Sequence, residues 1–98
     1  MILITNKEGL KKYEGDNFTV LLTFDNNKNL INFNIKSEDS YLPKIFPVFD
    51  EEDYEVIDFK IETKGSGTFY KDEIKKIITG YEKAVSIIDK LKEIIELK

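Results

Sequence analysis

The feature that most constrains this chain is an apolar stripe in its last third. Ile74, Ile77, Ile78, Tyr81, Val85, Ile88, Leu91 and Ile95 recur at spacings of three and four. Side chains so spaced share one face of an α-helix. The pattern predicts one long amphipathic helix over residues 68–97. Lys64-Gly65-Ser66-Gly67 breaks the preceding pattern and supplies a turn. Thr68 suits the N-cap, and Asp72 and Glu73 in the first turn complement the helix dipole, as Lys90, Lys92 and Lys98 do at the other end. At about 1.5 Å per residue the helix is roughly 40 Å long, so its last two turns are expected to overhang a short sheet. Gly80 costs about 1 kcal/mol relative to Ala inside a helix. Together with Ala84, one turn on, it lets the helix backbone approach the sheet closely or lines a contact with a second chain. Ile87 and Ile94 lie off the main stripe and widen the apolar surface of the last turns. With Leu91 and Ile95 they form a candidate self-association surface.

A helix with one apolar stripe must bury it against something. Phe18, Val20, Leu22 and Phe24 alternate with Thr19, Leu21 and Thr23; Ile31, Phe33 and Ile35 alternate with Asn32, Asn34 and Lys36. Period two with aromatic and β-branched residues predicts two strands, and Asp25-Asn26-Asn27-Lys28-Asn29 between them predicts a hairpin loop. Residues 54–63 form a third strand, with Ile57, Phe59 and Ile61 on one face and Val56, Asp58, Lys60 and Glu62 on the other. Ile2–Thr5 reads as a short strand and Gly9–Gly15 as a turn-like connection with an ambiguous Leu10–Tyr13 segment. Residues 41–49 carry Pro43 and Pro47, which cannot donate to a ladder, so this stretch is an edge strand at best or an extended segment. The expected architecture is a single α+β domain over residues 1–98. A small antiparallel sheet of three to five strands, drawn from residues 2–63, carries one long C-terminal helix on one face.

Composition narrows the function. Ninety-eight residues make one domain, and an apolar fraction of 41% supports a packed core. With no Cys and no His, the chain lacks thiolate nucleophiles, the commonest metal ligands and the commonest general base near neutral pH. Asp50-Glu51-Glu52-Asp53 lacks the spaced ligands, Gly and distal Glu of a calcium loop. Gly65-Ser66-Gly67 lacks the Gly-Lys-Ser/Thr ending of a phosphate-binding loop. The chain therefore reads as non-enzymatic, without metal or cofactor. No apolar run is long enough to span a bilayer, and Met1–Lys7 is wrongly ordered for a signal peptide, which predicts a cytoplasmic protein. All fifteen basic residues are Lys, with no Arg to read bases or stack on them, and the net charge is −4; direct nucleic-acid binding is not expected. Fourteen Ile and seven Asn match an AT-rich coding sequence, hence a low-GC bacterium or an element replicating in one.

The charges are unevenly placed. Residues 1–36 carry five Lys and four acids, residues 37–62 two Lys and nine acids, and residues 63–98 eight Lys and six acids. The middle segment is thus at −7, through Glu38, Asp39, Asp50, Glu51, Glu52, Asp53, Glu55, Asp58 and Glu62. Like charges held together cost stability, so the segment is either a solubilising loop or an acidic surface that engages a basic groove on another protein.

The stretch Asp58-Phe59-Lys60-Ile61-Glu62-Thr63, the Gly/Ser turn, and Glu73-Ile74-Lys75-Lys76-Ile77-Ile78-Thr79-Gly80-Tyr81-Glu82-Lys83-Ala84-Val85 resemble short proteins of phages and mobile elements in low-GC Gram-positive bacteria. Small, acidic, Cys-poor α+β proteins of that origin include anti-CRISPR proteins. The resemblance covers roughly residues 55–95 and is one of class. It implies a protein that inhibits a bacterial defence protein, such as a CRISPR effector nuclease, by occupying a basic surface, in some cases by mimicking the charge of DNA. The alternative is a small structural or assembly protein that dimerises through its C-terminal helix. The chain is accordingly expected to be a monomer or a homodimer.

Overall fold

The computed structural model describes residues 1–52, 55–63 and 67–95. Its elements are β1 (Ile2–Lys7), β2 (Leu10–Gly15), β3 (Phe18–Phe24), β4 (Leu30–Ser37), β5 (Ile45–Phe49), β6 (Val56–Ile61) and α1 (Lys71–Ile94). Strands β1 to β4 form an antiparallel meander in chain order, and β5 and β6 form a separate two-stranded sheet. The fold is α+β, as the two periodicities require.

The β3–β4 hairpin forms as its alternation predicts, with Val20 opposite Ile35 and Leu22 opposite Phe33. Its loop is organised by Asp25, whose Oδ1 accepts the amides of Asn27 and Asn29, each at 2.9 Å. The residue at positive φ is Lys28, at 66°. Leu10–Gly15 is a strand, not a turn-like connection. Its Lys and Glu residues have little strand preference, but ladders to β1 and β3 on both sides override local propensity. The actual turn is Glu8–Gly9, where Gly9 adopts φ 78° and its carbonyl accepts the Phe24 amide at 2.9 Å. Of residues 41–49, only Ile45–Phe49 is a strand. Pro47 is tolerated there because each strand of a two-stranded sheet has an open edge.

Two expectations of facing fail for one reason. Opposite Phe24 the partner is Leu30, not Ile31, and opposite Phe49 it is Val56, not Ile57. In each case a β-bulge inserts one extra residue and reverses which side chains face inward beyond it. A third register shift leaves Ile4 unmatched between Leu3 and Thr5. All three extra residues are Ile, and all three are turned to solvent: Ile4 is 47%, Ile31 42% and Ile57 46% exposed. Leu30 and Val56 are buried in place of Ile31 and Ile57. The strand over 56–61 also does not share a sheet with β3 and β4. The two sheets meet instead through side chains, as in the edge-to-face contact of Phe33 and Phe59, with ring centroids 5.2 Å apart.

The helix begins at Lys71 and not at Thr68; its N-cap is Tyr70, which makes no side-chain capping bond. The buried helical residues are Gly80, Ala84, Ile87 and Leu91. Of these, Ile87 and Leu91 join Val20, Leu22, Leu30, Val56 and Phe59 in one continuous core. Ile74, Ile78 and Val85, part of the expected stripe, are 40%, 52% and 50% exposed. The helix is thus rotated from the expected orientation, and the small residues explain why. A Cβ at Gly80 would overlap the backbone carbonyl of Tyr41, so only Gly allows the helix to lie this close to the chain between β4 and β5. The close approach is to that connection and not to the sheet. The overhang is at the opposite end from the one expected. The first turns project past Tyr41, while Ile94 and Ile95 pack against the core.

Candidate functional site

Among the described residues, the acids of the 37–62 segment do not form one patch. The turn of the β5–β6 hairpin lies beside the β3–β4 turn, because Asn29 Nδ2 donates to Glu55 Oε1 at 2.7 Å. Glu38 and Asp39 follow β4 at the other end of the meander, where the Glu38 amide donates to the Asn17 carbonyl at 3.1 Å. Glu62 sits at the open end of the hairpin, its amide donating to the Lys44 carbonyl at 2.9 Å. The segment therefore supplies acids to both ends of the molecule.

Several of these carboxylates already have partners. Asp39 Oδ1 accepts the Tyr41 amide at 2.9 Å, and Oδ2 lies 3.9 Å from Lys83 Nζ, which itself sits over the Phe18 ring. Asp58 Oδ1 accepts Lys92 Nζ at 2.9 Å and the Phe59 amide at 2.8 Å. The Lys92 hydrogen bond, followed by that from Phe59, holds the Asp58 carboxyl below the usual Asp range. Asp39 and Asp58 thus tie the helix to the body of the protein. Glu55 joins the two hairpin turns.

Among the described residues, the exposed carboxylates at the β5–β6 tip are those of Glu51 and Glu52. The turn that presents them is closed by Asp50, whose Oδ1 accepts the Glu52 amide at 2.8 Å and whose own amide donates to the Glu55 carbonyl at 2.8 Å. Asp53 lies outside the described residues. Sequence reasoning missed the exposed apolar residues of the same hairpin. Phe46 and Phe49 on β5 and the bulged Ile57 on β6 are each at least two-fifths exposed. The available signal was Phe49 standing immediately before Asp50-Glu51-Glu52 in a strand that proline confines to an edge. An exposed aromatic bordered by charge is the composition of a protein-contact surface, with an apolar anchor and a polar rim.

The other candidate surface is placed differently from its expectation. Ile87 and Leu91 are core residues, and Ile94 and Ile95 pack against that core from partly buried positions. These four residues hold the helix to its own sheets, because the helix face carrying Gly80 and Ala84 is the one that can approach closely. The exposed apolar residues of the helix are instead in its first half.

A groove of ≈ 890 Å³ lies between the β1–β2 turn, the β3–β4 turn and the end of the helix. It mixes Lys7, Lys11 and Lys28 with Glu8 and Asp25, so it presents no single sign of charge. Among the described residues, no helix is long and apolar enough to cross a membrane. Comparison with protein-family models, with curated protein sequences and with solved structures finds no match to this chain.

Proposed function

We propose that this protein is a non-enzymatic inhibitor that binds a bacterial antiviral defence protein, its acid-tipped β5–β6 hairpin entering a basic groove of an effector nuclease. The observation that carries the reading is the exposed pair Glu51 and Glu52 beside the exposed Phe49. Carboxylates at a hairpin tip meet a basic groove first and speed association, while a neighbouring aromatic supplies contact area. The contact is narrower than the full acidic segment, since Asp39, Glu55 and Asp58 act within the fold.

The test uses purified CRISPR effector nucleases, with inhibition of cleavage and direct binding as readouts at two salt concentrations. Replacing Glu51 and Glu52 together by Lys is expected to weaken binding by about tenfold or more, most strongly at low salt. Reversing Glu38 and Glu62, at the other end, serves as the control. Equal effects from the two pairs, or none from either, would refute the hairpin as the contact.

A second reading, a small structural or assembly protein that self-associates through its helix, is favoured by one observation. The first half of the helix is apolar on a face that neither sheet covers.

A further inference from the structure

The uncovered residues of the helix are Ile74, Ile78 and Val85, with the half-buried Tyr81 on the same line. At about 100° per residue they form a stripe about 120° around the helix from the face of Gly80, Ala84, Ile87 and Leu91. The chain thus carries two apolar stripes where the sequence suggested one. The second has a symmetry of its own. Its spacings are four, three and four, so the order of positions reads the same from either end. On the flank of the stripe that points away from the core, Lys71 and Lys75 come first, and Glu82 and Asp89 follow. All four are exposed, and among the described residues none of them is in an ion pair.

We infer that this stripe is a homodimer interface, in which the helix pairs with its antiparallel copy about a two-fold axis near Thr79 and Gly80. An antiparallel two-fold pair brings the same flank of both helices together. Ile74 then faces Val85 of the other copy and Ile78 faces its Tyr81. Lys71 comes opposite Asp89, and Lys75 opposite Glu82. A parallel pair would bring this flank against the opposite flank of the other copy, where Ile77, Ala84 and Ile88 lie, and leave all four charges unpaired. Charge therefore selects both the occupant, which is a second copy, and its direction. The contact spans only about three turns of one helix, small beside a standard interface of roughly 800 Å² per partner, so the dimer is expected to be reversible. The inference does not rest on the inhibitor reading: the stripe and the β5–β6 tip are on different elements, and variants of one leave the other intact.

Sedimentation of the full chain over a rising concentration series tests this, with circular dichroism to confirm folding. A monomer–dimer equilibrium is expected. Ile78→Lys, at an exposed position, should weaken it by about a hundredfold while the fold is kept. Lys75→Glu alone should weaken it about tenfold, and Lys75→Glu with Glu82→Lys should restore it. Several results would overturn the inference: a monomer at every concentration, a dimer indifferent to Ile78→Lys, failure of the double exchange to restore association, or a dimer lost instead on Ile4→Lys. The last would place the contact at the open β1 edge.

Discussion

Gly80→Ala separates two opposed effects whose sum depends on one contact. In an isolated helix the change is favourable by about 0.8–1 kcal/mol, because Gly loses more backbone freedom than Ala. Here the added methyl would meet the Tyr41 carbonyl well inside van der Waals contact, with the Leu42 amide also close by. The obstacle is backbone, so a side-chain rotation cannot relieve it. Either the β4–β5 connection shifts or the helix moves off, loosening Ala84, Ile87 and Leu91 and the Lys83–Asp39 pair on the same side. Overpacking of this kind costs about 1–3 kcal/mol. Subtracting the helix gain leaves a net loss of up to about 2 kcal/mol, or a fall in Tm of up to roughly 15 °C for a domain of this size. Urea denaturation of wild type, Gly80→Ala and the control Thr79→Ala, at an exposed site one residue away, gives the answer. Thr79→Ala should change stability by a few tenths of a kcal/mol. If Gly80→Ala is stabilising by the helix gain alone, the helix does not press on Tyr41, and the explanation of its rotation is wrong.

Leu91→Ala removes a fully buried side chain from the centre of the core and should cost about 2–5 kcal/mol by denaturation. Lys28→Gly should stabilise by about 1 kcal/mol, since Lys28 holds a left-handed conformation that Gly adopts freely; a loss would show that the Lys28 side chain has a role of its own. Asp58 titrates below the usual Asp value because Lys92 and the Phe59 amide favour its charged form. Its contribution to stability is therefore complete above pH 3.8 and declines as pH falls below that toward the lowered folded value. A carboxyl NMR titration should show the Asp58 midpoint rising in Lys92→Met, and an unmoved midpoint would remove Lys92 as the cause.

The parts of the fold legible in the sequence were those decided by local alternation. The β3–β4 hairpin is one, since Val20 and Leu22 face inward together with Phe33 and Ile35 over most of its length. What alternation cannot reveal is where it is interrupted. Ile31 and Ile57 have strong strand preference and look like inward residues, yet bulges turn both outward and put Leu30 and Val56 in their place. The helix was visible as a helix, but its orientation was not. Large apolar residues define the visible stripe, whereas the buried face is chosen by Gly80 and Ala84, which carry little hydrophobic signal. The acidic segment was legible as a count of charges. Its division between two ends, with Asp39 and Asp58 paired to helix lysines, depends on tertiary placement alone.

The order of the elements has a consequence for how the chain is made. Every ladder of the meander joins neighbours in sequence, and short-range pairings of this kind close quickly. The meander can therefore assemble while the rest is still being synthesised, but the cover over Val20 and Leu22 is incomplete until Ile87 and Leu91 have emerged from the ribosome. During that interval a formed sheet exposes its core face to other nascent chains. The interval, more than the final stability, sets the risk of misassembly. Changes that slow docking of the helix, Gly80→Ala among them, should lower the yield of folded protein in the cell by more than their equilibrium cost implies.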